Sequence, residues 1–98
     1  MGHSVETANF LMASRLRDAA RGSTDALYQL GIAYSSGSDG VDLDLIQAHK
    51  WFNLAAVRGH EEAADYRTEI ADEMTAREIV EAQKQARAWL GMTARRVA

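Results

Sequence analysis

A shift of 37 residues lays Ala19 on Ala56, Arg21 on Arg58, Gly22 on Gly59 and Ala26 on Ala63. The coincidences are few, but they fall on small residues that let helices approach and on glycines that stop them. A fixed period of this length marks a helical-pair solenoid, in which each unit buries its apolar face only against the next. That restricts the chain to stacked helices more tightly than any single motif in it does. Proline is absent, so no segment between the units reads as a stiff linker or a proline-rich docking site.

Apolar residues recur at helical spacing in five segments separated by glycine or small polar residues. The first runs from about Val5 to Ala20, with Val5, Ala8, Met12, Leu16 and Ala19 on one face and Ser14, Arg15 and Asp18 opposite. Gly22 suits its stop, because a left-handed residue after a helix costs glycine little. The second opens at Ser23 or Thr24 as N-cap, with Asp25 in the first turn and Ala26, Leu27, Leu30, Gly31 and Tyr34 on its buried face. Gly31 lies mid-helix, at a cost of about 1 kcal/mol relative to alanine, and close approach of another helix is the expected compensation. A loop follows, Ser35 to Gly40.

The third segment starts after Asp44, runs to about Arg58 and stops at Gly59. Leu45, Ala48, Trp51, Phe52, Ala55 and Ala56 share a broad face, and Ile46, Leu54 and Val57 make the rest partly apolar. Such a helix belongs at the centre, with neighbours on both sides. The fourth, about Glu61 to Glu73, has Ala63, Tyr66, Ile70 and Met74 inside and Glu61, Asp65, Glu69 and Glu73 outside, every fourth residue. The fifth opens on Thr75-Ala76-Arg77-Glu78, a capping box, and its inner stripe is Ile79, Ala82, Gln83, Ala86, Trp89 and Leu90. From Gly91 the last residues are expected to fray.

The stretch from Ala26 to Ala63 resembles a Sel-one-like repeat, a relative of the tetratricopeptide repeat. The resemblance rests on Ala26, Leu30, Gly31 and Tyr34, then a glycine loop at Gly37, Gly40 and Val41. Asp44 follows, then a second helix with Ala48, Trp51, Ala55, Ala56 and Gly59, and Ala63 to open the next unit. One departure is the loop, where Ser38 and Asp39 separate glycines that the family places one residue apart. The resemblance implies an all-α fold, a short right-handed α-α superhelix of about five helices forming one domain over 1–98. Within it, 1–22 is a half-repeat, 23–59 the full repeat, 60–90 a degenerate repeat helix with a capping helix, and 91–98 a tail. It also implies a scaffold or adaptor that binds protein rather than an enzyme, although fold alone does not give function.

Charge argues in the same direction. The net charge is −3, but residues 76–98 carry +3 and residues 1–75 carry −6. A mainly acidic body is unsuited to a phosphate backbone, so no nucleic acid is expected as partner. No apolar stretch is long enough to span a bilayer, and the first residues lack the basic and apolar runs of a secretory signal. The expectation is a cytoplasmic chain without a membrane partner. There is no cysteine, which removes disulfides, thiolate zinc sites and a cysteine nucleophile.

The candidate contacts are for protein. On the second segment Asp25, Tyr28, Ile32 and Ser35 lie away from the Leu30/Tyr34 stripe. Tyr28 and Ile32 can anchor a peptide or a single helix of a partner, or else pack against the first or fourth helix. Phe10 and Leu11 fall off the first stripe, as a second packing face or as an exposed patch; in the latter case the ends of the short solenoid can stack into a homo-oligomer through Phe10/Leu11 or the terminal helix. The ridge Glu61/Asp65/Glu69/Glu73 can meet a basic partner or simply face solvent. Asp39, Asp42 and Asp44 lack the spacing of a calcium loop. His3, His49 and His60 lack zinc-ligand spacing, and no nucleophile elbow or phosphate loop is present. No metal, cofactor or catalytic residue is expected.

Overall fold

The computed structural model describes the backbone of residues 5–97 and the side chains of residues 6–94. His3, the Val5 side chain and Ala98 lie outside them. Among the described residues there are five α-helices and no strand: α1 (Val5–Ala20), α2 (Thr24–Ser36), α3 (Leu45–Val57), α4 (Glu61–Ala71) and α5 (Ala76–Val97). The fold is all-α, and its arrangement is that of a short helical repeat.

The 37-residue shift is visible in the corners. After α1, Gly22 adopts φ 93°; its N–H donates to the Ala19 carbonyl and the Ser23 N–H to the Asp18 carbonyl. After α3, Gly59 adopts φ 97°; its N–H donates to Ala56 and the His60 N–H to Ala55. Both are Schellman stops built on glycine in a left-handed conformation. The next helix then starts in the same register. The Ala26 N–H donates to the Ser23 hydroxyl, and the Ala63 N–H to His60 Nδ1, both at 3.1 Å. Asp44 caps α3 through the Gln47 N–H, and Thr75 and Glu78 close the capping box of α5.

α3 is the hub. It packs on α2, α4 and α5, whereas α1 packs on α2. Its Ala48, Trp51, Phe52, Leu54 and Ala55 are buried, as are Leu27 and Leu30 of α2. The close approach expected at Gly31 is real: a Cβ there would stand 2.5 Å from Phe52 Cδ1. The α2–α3 loop is pinned under α1, because a Cβ on Gly40 would meet the Ala8 Cβ at 2.7 Å and Arg15 pairs with Asp39 at 2.5 Å.

Three local expectations are revised. Gly91 does not end α5, which continues as helix to Val97; methionine, alanine and arginine after it outweigh one glycine. Gln83 and Leu90 are exposed rather than inward, and Gln85 instead turns towards α3, accepting a hydrogen bond from Gln47 at 3.0 Å. Tyr34 is half-buried, and Ala33 takes its place on the buried face of α2.

Candidate functional site

The four residues singled out on α2 do not form one open face. Asp25 is exposed. Tyr28 is committed to packing: its ring stacks on His60 at 4.2 Å and tilts against Phe52 at 5.9 Å and Tyr66 at 6.2 Å. Burial, with Glu62 and Tyr66 nearby, pushes its phenol above the usual range. Ile32 packs against the core, and the Ser35 hydroxyl donates to the Ile32 carbonyl of its own helix. Tyr28 thus contacts the fourth helix through Tyr66, while its side chain stays half-buried. His60 explains why, since it caps α4 and offers its ring to Tyr28 at once.

Glu61, Asp65 and Glu69 are exposed along α4, and Glu73 is exposed in the turn that follows it. Tyr66 sits among them, one face stacked on Phe52 at 5.3 Å. Phe10 is 67% exposed on α1 and Leu11 36%. Both belong to an outward face.

Two polar groups of α3 are enclosed. His49 is 4% exposed, and its Nδ1 has no hydrogen-bond partner. Burial, reinforced by the Arg67 charge, lowers its pKa and favours the neutral ring. Trp51 Nε1 is likewise enclosed and unpartnered. The Trp51 ring meets Trp89 edge-on at 4.8 Å, and Lys50 Nζ lies 4.4 Å from the Trp51 centroid. Burial lowers the Lys50 pKa. Two of the three loop aspartates are spent on structure, Asp39 on Arg15 and Asp44 on the α3 N-terminus. Among the described residues no three His, Asp or Glu side chains gather as metal ligands, and no helix is long and apolar enough to cross a membrane.

The open feature lies elsewhere, between α1 and α5. These helices make little backbone contact with each other, and two adjoining hollows lie between them. One is lined by Ala13, Leu16 and Arg17 of α1 with Trp89 and Met92 of α5. The other is lined by Arg21, Gly22 and Arg58 with Leu90 and Ala94. Ala20 and Thr93 line both, so the hollows form one cleft. Its apolar walls include Met92, 53% exposed, and Leu90, 41% exposed. Sequence periodicity could not find it: Leu16 and Trp89 each read as core, and only the tertiary placement of α5 leaves space between them. The available signal was Met92, an apolar residue in a tail otherwise rich in arginine and alanine.

No protein-family model, curated protein or solved structure matches the chain.

Proposed function

We propose that this chain is a non-catalytic protein-interaction module, an adaptor that presents a helical groove to a peptide or single helix of a partner protein. The observation that carries the proposal is the α1–α5 cleft. It is a partly apolar hollow between two helices, the kind of surface into which amphipathic helices dock. Exposed apolar side chains gathered in a concavity favour a partner, because scattered ones need no explanation and clustered ones do. The Sel-one-like pattern of residues 26–63 supports the same role by resemblance. The docking face moves accordingly from Asp25, Tyr28, Ile32 and Ser35 to the cleft.

A photo-crosslinking amino acid at position 92, compared with one at Val80, which is also exposed on α5, tests this in cells. Protein adducts are expected from position 92 and not from position 80. Equal yields from both, or none from either, would remove the cleft as a docking site.

A second reading is favoured by Phe10: the chain is a homo-oligomer joined through the Phe10/Leu11 face of α1. Sedimentation at rising concentration should then show a larger species that Phe10→Ser abolishes. A constant monomer mass excludes it.

A further inference from the structure

The cleft also restricts the chemistry of its occupant. Its walls are apolar at Leu16, Trp89 and Met92. Every charged side chain lining it is an arginine: Arg17 in one hollow, Arg21 and Arg58 in the other. Among the described residues the only ion pair joins Arg15 to Asp39, so none of these three arginines has a carboxylate in contact. The placement of Arg58 is built into the corner. Its guanidinium lies over Gly22, where a Cβ would stand 3.2 Å from Nη1. A chain of net charge −3 thus carries a local cationic rim around its apolar trough.

We infer that the cleft takes an acidic amphipathic helix of a partner protein. Its apolar residues, at i, i+3 or i+4 and i+7, would lie on Leu16, Trp89 and Met92, and its flanking carboxylates would pair with Arg17, Arg21 and Arg58. Arginine is suited to this, because its planar fork receives a carboxylate through two parallel hydrogen bonds. The inference deepens the interaction-module proposal and rests on it.

A second copy of the chain is a poorer occupant. The α4 ridge has the carboxylates, but its apolar residue is Tyr66, already stacked on Phe52. A ridge of carboxylates laid on an apolar floor would bury charge without a partner, which is costly. The Phe10/Leu11 face has apolar surface but only one carboxylate, Glu6, within a helical turn, against three arginines.

The experiment uses the full chain and three synthetic helical peptides, followed by tryptophan fluorescence, since Trp89 lines the cleft, and by sedimentation. One peptide has leucine and phenylalanine on the i, i+3, i+4, i+7 face and glutamates elsewhere. The second replaces its glutamates by lysine, and the third replaces its apolar face by alanine. The first should bind at least about tenfold more tightly than the other two and weaken with added salt. Arg17→Glu/Arg21→Glu/Arg58→Glu should reverse the preference towards the lysine peptide. Should that variant lose helicity, the triple Arg→Gln variant is expected to level the two charged peptides instead. Equal binding of both charged peptides, lost in Ala13→Trp, would leave the cleft as a docking site and overturn its acidic selectivity. Binding by none of the three overturns both proposals. Self-association that Ala13→Trp abolishes would assign the cleft to a second copy and overturn this inference.

Discussion

Gly31 and Gly91 are both helical glycines, yet alanine is expected to act on them with opposite sign. Alanine gains about 1 kcal/mol of helix propensity in either place. At Gly31 the new methyl would enter the Phe52 ring at 2.5 Å, and Phe52 is fully buried and cannot swing aside. Overpacking of this kind costs about 1–3 kcal/mol, so Gly31→Ala should lower stability in urea unfolding by roughly 1 kcal/mol net. A Cβ at Gly91 meets nothing within 4 Å, and Gly91→Ala should raise stability by about 0.5–1 kcal/mol. His49 supplies a pH dependence. Burial depresses its pKa below 6.5, so on acidification the unfolded chain takes up a proton before the folded one does. Stability therefore rises with pH across that window and falls as pH drops below about 6.5. The slope from this one group is at most about 1.4 kcal/mol per pH unit. Replacing His49 by phenylalanine should flatten the profile between pH 5 and 7; an unchanged slope there would place the effect on another group.

Each helix start is a small test of capping. Ser23→Ala and Asp44→Ala should each lose about 1 kcal/mol, read as a lower midpoint in thermal or denaturant unfolding. His60 carries two roles, since Nδ1 accepts from the Ala63 N–H and the ring stacks on Tyr28. His60→Asn keeps an acceptor and loses the stack; His60→Ala loses both. The asparagine variant should fall between wild type and alanine. If the two are equally stable, the cap contributes nothing. Much of this scale is legible in the sequence. Ser23, Asp44 and the Thr75/Glu78 box announce their helices because their side chains reach the free N–H groups a few residues on. His60 is not legible in the same way. Histidine is not among the preferred caps, and only its register with Ser23, 37 residues earlier, points to the role. The extent of α5 misleads for a different reason: a single glycine is a weak stop when good helix formers follow it.

Across the whole molecule, protection should follow the packing. α3 is sandwiched by α2, α4 and α5, whereas α1 leans on α2. Hydrogen exchange is therefore expected to be slowest at the amides of α2 and α3 and faster in the first turns of α1, with local opening well below the global free energy. Uniform protection across all five helices would mean that α1 opens only with the rest. The core was legible because Ala48, Trp51, Phe52 and Ala55 recur at helical spacing within one broad face. The docking surface was not, because it is a space between two helices and no residue encodes a space. The twin corners at Gly22 and Gly59 bear on that space directly. Since each is the same stop followed by the same start, a second copy of residues 23–59 could be spliced in after Gly59 with both junctions preserved. The longer chain would gain a helix pair and carry α5 away from α1. The cleft thus depends on repeat number, because it lies between the two helices that flank the repeat.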